Sequence, residues 1–212
     1  MILIGQYDSP FVRRVAVALS IYGLAFEHRP WSVFGDAEAI AKYNPLRRAP
    51  TLVLDGGEVF TDSLTILLVV DEMVGADGAS LARSGEEGRE LLRLSALAAG
   101  VADKAVSLLY ERRLRDRAFP LWAERCRAQV IETLDLLEAM REARSTTYLF
   151  DAALSHADVI LATMIRFVRD ALAAEFDWSR WPALVAHSEL CEALPVFREI
   201  SQPYKLTKPG EE

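Results

Sequence analysis

From Gly88 onward the sequence holds no stretch that reads as a strand, whereas the residues before Val74 alternate strand-like and helix-like patterns. A single switch from mixed to purely helical periodicity calls for a small α/β unit joined to an all-helical one. In the first part Met1–Ile4 is a short apolar strand. The spacing of Phe11, Val15, Ala18, Leu19 and Tyr22 predicts a helix that stops at Gly23. Phe26–Val33 reads as a second strand, and Asp36–Tyr43 as a short helix ended by Asn44-Pro45. "PTLVLDGGEVFTDS" gives two β-rich runs parted by Asp55-Gly56-Gly57, the strongest hairpin signal in the chain. Ser63–Met73 closes the unit with an apolar helix. The order is β-α-β-α-β-β-α: its start implies parallel strands with a crossover, and the hairpin adds an antiparallel edge.

Val74–Gly88, rich in Gly, Ala and Ser, reads as a linker. Beyond it Leu91, Leu94, Ala98, Val101, Ala105 and Leu108 mark a long helix that runs through Gly100. Leu121–Met140 predicts another. "LSHADVILATMIRFV" is a third, with Ser155 at the cap position, Asp158 three residues on, and Leu154 and Val159 able to form a hydrophobic staple. Pro182–Ala193 is a fourth, followed by an irregular tail from Ser201. The expected units are residues 1–77 and 88–212.

Composition narrows the function classes. The 212 residues are 51% hydrophobic, enough for a large core, and carry 31 acidic against 24 basic side chains, a formal net charge of -7. Such a chain has no general attraction for phosphate backbones, so nucleic acid is a poor partner. Aliphatic runs such as Ile66–Val70 are far short of a membrane span, and the amino terminus lacks a basic-then-apolar leader pattern. Cys126 and Cys191 lie far apart and read as apolar core residues of a reducing compartment, so a cytoplasmic location is expected. His28, His156 and His187 are scattered and suggest no metal site.

Three stretches can carry chemistry, and each sits where an open sheet binds ligands, at a strand end or a helix start. Ser9 precedes Pro10 and so occupies the N-cap of the first helix. Its oxygen can accept from the N–H of Phe11 or Val12, which leaves the hydroxyl proton for a ligand. An anion there, a thiolate included, would also feel the positive helix end. The structural alternative is a cap and nothing more. In Arg48-Ala49-Pro50-Thr51 a proline opens a strand; a cis Ala49–Pro50 bond would expose the Ala49 backbone for pairing with an extended peptide, and an edge-strand proline is the plainer reading. Asp62-Ser63 opens the next helix, either as a cap or as a seat for a zwitterionic amino acid head group.

Taken together, the serine at the first helix start, "NPLRRAP" before a strand, "TDS" at the next helix, and "SHAD" inside a helical second part resemble the cytosolic glutathione transferases over essentially the whole chain. The Ser-Pro-Phe context resembles bacterial members of the serine type. The resemblance implies a thioredoxin-like domain followed by a helical-bundle domain, a homodimer, and glutathione as co-substrate joined to a small apolar electrophile in detoxification. It implies that Ser9 donates a hydrogen bond to the glutathione sulfur and that the Ala49 backbone pairs with the cysteinyl part. Asp62 and Ser63 would hold the γ-glutamyl end, and Arg48 would lie near the glycyl carboxylate. Asp62 is one methylene shorter than the usual glutamate, and Tyr7 matches the activating residue of other classes. The rivals are a non-catalytic binding or assembly protein of the same fold, or an isomerase, peroxidase or dehalogenase using glutathione.

Overall fold

The computed structural model describes residues 1–206 and divides the chain into two compact units, Met1–Ser80 with the stretch from Leu194, and Leu81–Ala193. In the first unit four strands form one sheet: β1 Ile2–Ile4, β2 Glu27–Arg29, β3 Thr51–Val53 and β4 Val59–Thr61, in the order β2-β1-β3-β4. The pair β1–β2 is parallel, with Leu3 opposite His28, while β1–β3 and β3–β4 are antiparallel, with Leu52 opposite both Leu3 and Phe60. The hairpin turns at Asp55-Gly56-Gly57, where Gly57 takes φ of 90°. Strand β2 is shorter than Phe26–Val33 because Pro30 has no N–H to give the ladder. Helices α1 Pro10–Ile21, α2 Ala37–Ala41 and α3 Ser63–Gly78 complete the βαβαββα order. α1 packs against α3, and Leu3, Ile4, Val12, Val15, Leu52, Ile66 and Val70 form their share of the core. α3 outruns the expected Met73 but breaks at Gly75, at φ of 73°, so the glycine marks a kink where a helix stop was expected.

The second unit is helical among its described residues: α4 Gly85–Arg113, α5 Pro120–Glu142, α6 His156–Ala171, a 3-10 turn at Trp178–Arg180, and α7 Pro182–Glu192. α4 packs against α5 and α6, and α6 against α7. The linker shrinks to residues 79–84, because both flanking helices extend into it. A last helix, α8 Pro195–Glu199, belongs to the first unit, although periodicity had left the chain end with the helical one. The reason is a long-range polar tie: the Arg13 guanidinium donates to the Phe197 and Ile200 carbonyls, each at 2.7 Å.

The start of α6 is a complete capping box. Ser155 Oγ accepts from the Asp158 N–H at 3.4 Å, and Asp158 Oδ2 accepts from the Ser155 N–H at 2.8 Å and hydroxyl at 2.6 Å. Asp158 Oδ1 also accepts from the Leu149 N–H at 2.8 Å and lies 3.2 Å from His187 Nε2. Arg141 Nε donates to His187 Nδ1 at 3.2 Å, which places the imidazole proton on Nε2, toward Asp158. Burial alone would raise the Asp158 carboxyl, yet the bonds from His187 and Ser155 outweigh it and hold it below the usual carboxylate range. A carboxyl depressed on folding adds stability above its unfolded pKa, near 3.9, and loses it as pH falls through the folded value. Asp158→Ala should therefore lower stability at neutral pH by about 2–4 kcal/mol and flatten its decline in acid. Urea unfolding of the full chain across the acid range, followed by circular dichroism, measures both.

Candidate functional site

The three sequence-marked stretches lie in the first unit, where short-range contacts tie them into one circuit. Ser9 is the N-cap of α1, with φ of -74°, ψ of 124° and Pro10 at the first helical position. Its Oγ accepts from the Val12 N–H at 3.5 Å, a long contact, and its hydroxyl finds no acceptor among the described residues. A helix end with orphan N–H groups and a hydroxyl with a proton to give suits an anion.

Beside it, Gly5 follows β1 at φ of 130°. A Cβ on this residue would fall 2.5 Å from Val12 Cγ2 and 2.7 Å from the Ala49 Cβ. Only glycine lets the first turn of α1 and the Ala49 loop approach β1 together. The Ala49–Pro50 bond is cis. The Ala49 N–H and C=O pair with no described residue, although Thr51, two residues on, is within the β3 ladder. An extended peptide can pair with such a free edge.

Asn44, 3% exposed, fastens this loop to the next strand end. Its Nδ2 lies 3.2 Å from the Arg48 carbonyl, 3.0 Å from Thr51 Oγ1 and 3.2 Å from Thr61 Oγ1, and its Oδ1 accepts from the Leu46 N–H at 3.0 Å. Thr61 leads directly into Asp62. That residue sits at φ of 69° and ψ of 121°, outside even the left-handed helical well, a conformation that costs about 1–3 kcal/mol for a side chain bearing a Cβ. Its Oδ1 caps α3 by accepting from the Leu64 N–H at 3.0 Å and the Thr65 N–H at 3.3 Å, while Oδ2 has no partner among the described residues. Ser63, at the first helical position, is buried.

Arg14 closes the circuit. It is fully buried, its Nε donates to the Pro10 carbonyl at 3.0 Å, and its guanidinium lies over the Phe11 ring at 4.9 Å. Both terminal nitrogens are buried without a hydrogen bond. Removal from water drives its pKa down to about 9, against the upward pull of the Asp62 charge. The buried cation therefore joins the α1 start to Asp62 electrostatically.

Sequence reading passed over Asn44, Gly5 and Arg14. The usable signal was Arg13-Arg14 within an apolar helix, since a charge so placed is either paired or functional. Arg48 is exposed and its guanidinium is unpaired among the described residues. Tyr7 stacks on His28, with ring centroids 3.8 Å apart and planes 1° from parallel, and burial raises its phenol above the ordinary value. In the other unit, Arg112 and Arg115 are taken up by Glu175 and Glu111, at 3.1 and 3.0 Å. Among the described residues no group of three or more His, Cys, Asp or Glu could hold a metal ion, and no helix is long and apolar enough to cross a membrane.

Comparison with known proteins gives this geometry a family. Residues 3–77 match the glutathione S-transferase N-terminal domain, and residues 120–190 the glutathione S-transferase C-terminal domain. The uncharacterized GST-like protein YibF of Escherichia coli (strain K12) is 31% identical over 170 residues, covering 77% of each chain. A glutathione S-transferase of Methylobacterium radiotolerans, solved with glutathione sulfonate, superposes with a TM-score of 0.86 at 28% identity, over 97% of this chain and 96% of that one. A glutathione transferase family member of Pseudomonas fluorescens Pf-5, solved with bound glutathione, gives 0.81 at 28% identity, over 96% and 99%. With a four-stranded thioredoxin-like unit, a helical unit and both family domains matched, the chain belongs to the glutathione S-transferase family.

Proposed function

We propose that the protein is a glutathione transferase in which Ser9 stabilises the attacking sulfur. The observation that carries this reading is the unused hydroxyl proton of Ser9 at the open end of a buried helix, beside the unpaired Ala49 edge. Glutathione would lie along that edge with its cysteinyl N–H and C=O paired to Ala49. The second carboxylate oxygen of Asp62 would take the γ-glutamyl ammonium, Ser63 and the α3 N-terminus the neighbouring carboxylate, and Arg48 the glycyl carboxylate. Glutathione sulfonate in one solved relative and glutathione in the other support a tripeptide in such a seat.

The chemistry follows from charge placement. The bound thiol loses its proton to solvent, and the Ser9 hydroxyl and the helix end favour the thiolate that remains. The sulfur lone pair then forms a bond to electrophilic carbon, and either a leaving group departs with its electrons or a double bond accepts them and a proton. Ser9 stays a hydrogen-bond donor throughout and forms no covalent bond. The raised phenol of Tyr7 and its stack on His28 favour Ser9 over Tyr7 in this part. The electrophile is small and apolar, the setting cytoplasmic and the role detoxification. A panel of aryl halides, enones, alkyl halides and peroxides separates transferase from isomerase, dehalogenase or peroxidase, and failure to bind a glutathione column would favour an assembly protein.

Ser9→Ala should raise the pKa of the bound thiol by about one unit, toward the ~8.5 of a free cysteine. Activity that rises with pH as the thiolate forms would then rise later, with affinity for glutathione changed less than about two-fold. Ultraviolet titration of the thiolate in the binary complex decides the matter, and an unchanged curve rejects the role of Ser9. Asp62→Asn keeps an α3 cap but removes the charge, so it should weaken glutathione roughly 5–30-fold and, by leaving the buried Arg14 cation uncompensated, also lower the melting temperature by a few degrees. Calorimetric titration against unfolding separates the two effects.

The proposed homodimer draws support from α3, where Leu68 and Met73 are 59% and 42% exposed. Leu68→Asp should shift sedimentation equilibrium from dimer toward monomer; a wild-type chain that sediments as a monomer rejects the assembly.

A further inference from the structure

The end of the described chain returns to the loop that carries Ser9. Gln202 Oε1 accepts from the Tyr7 N–H at 3.2 Å, and the Lys205 N–H donates to Asp8 Oδ2 at 3.1 Å. Tyr7 and Asp8 are the two residues immediately before Ser9. On its other side stands Arg13, 4% exposed, with its two 2.7 Å bonds to the Phe197 and Ile200 carbonyls. Those carbonyls belong to the end of α8, where helical partners run out and a cation is favoured. Its guanidinium also lies 5.7 Å from the centroid of the fully buried Phe197 ring. Polar ties thus join residues 197–205 to residues 7–13, with Ser9 between them.

Local bonds hold the serine's backbone at comparable lengths, its carbonyl accepting from the Arg13 N–H at 3.0 Å. Its N–H reaches the Gln6 carbonyl at 3.1 Å, and the cap contact to Val12 is 3.5 Å. A hydroxyl that must meet a sulfur needs its backbone fixed, because a displacement of about 1 Å can cost about 100-fold in rate. Partial burial raises the Asp8 carboxyl, an effect the Lys205 N–H opposes.

We propose that Ser201–Leu206 is a strap that fixes the Ser9 loop, with Gln202 and Asp8 as positioning residues for the hydroxyl. The effect on the sulfur rests on the glutathione reading above; the hold on the loop does not. In the full-length chain, Gln202→Ala with Lys205→Pro deletes the acceptor and the backbone donor while leaving Asp8 in place. Lys205→Ala keeps the N–H and serves as control. Hydrogen exchange without ligand should quicken roughly five-fold or more at the amides of Ser9, Val12 and Arg13, none of which loses its own bond. The thiol of bound glutathione should titrate about half a unit to one unit higher, with glutathione affinity changed less than about two-fold.

Exchange equal to the control overturns the strap, and faster exchange with an unmoved thiol titration in a complex that forms overturns the positioning of the hydroxyl. A parent chain that binds no glutathione overturns the role at the sulfur instead, and the exchange data tell that outcome from failure of the strap. Should the double variant fail to fold, Gln202→Ala alone carries both measurements, with about half the effect on exchange.

Discussion

The candidate site depends on a steric allowance at Gly5. Two side chains approach this residue from different parts of the chain, Val12 in the first turn of α1 and Ala49 in its loop, and any Cβ would meet both at less than 3 Å. With a side chain there, either α1 would lift and carry Ser9 away, or the Ala49 edge would retreat. Its φ of 130° is itself one that side-chain-bearing residues rarely adopt. One missing methyl group therefore brings a helix N-terminus and an unpaired strand edge within reach of one small peptide.

Electrostatics then sets what that space accepts. The proposed seat carries a buried guanidinium at Arg14, an exposed one at Arg48, and the N-termini of α1 and α3. The carboxylate of Asp62 stands among them with one oxygen committed to capping. This favours a ligand with more negative than positive groups and one cationic group for Asp62, which is the charge pattern of glutathione with its thiol ionised. Burying Arg14 with two unsatisfied nitrogens is unfavourable, and Asp62 supplies only part of the compensation. The strained backbone at Asp62 adds to the same account. Local stability is given up in two adjacent places, as at sites organised for a ligand more than for packing.

Legibility in the sequence followed the range of the interactions. Ser9-Pro10, the Asp55-Gly56-Gly57 turn and the Ser155–Asp158 box are encoded within four residues, and the structure carries each of them. The glycine at 75 gave a break, yet the helix resumed beyond it because no proline or polar cluster followed at once. Asn44 could not be read, since its partners at Thr51 and Thr61 are seven and seventeen residues away. The return of α8 was hidden for the same reason, with Arg13 reaching 184 and 187 residues along the chain. Ser9 and Asp62 were visible as helix caps and Ala49 by the proline after it; the residues that hold them in place were not.

Whether Ser9 is a cap or more can be argued from the other capping serine. Ser155 and Ser9 both precede a helix, and both accept from the N–H three residues on. At Ser155 that third residue is Asp158, whose carboxylate takes the hydroxyl proton at 2.6 Å, so donor and acceptor capacity are both consumed within a fully buried motif. At Ser9 the third residue is Val12, which offers no acceptor, and the serine is only partly buried. The same side chain in the same helical position is thus saturated in one unit and open in the other. An isolated helix gains little from leaving a donor unused, because an acidic third residue would satisfy the cap backbone and complement the dipole as well. Valine at that position makes sense if the approach to the hydroxyl must stay uncharged, since a carboxylate there would repel the anionic sulfur proposed to sit at that helix end.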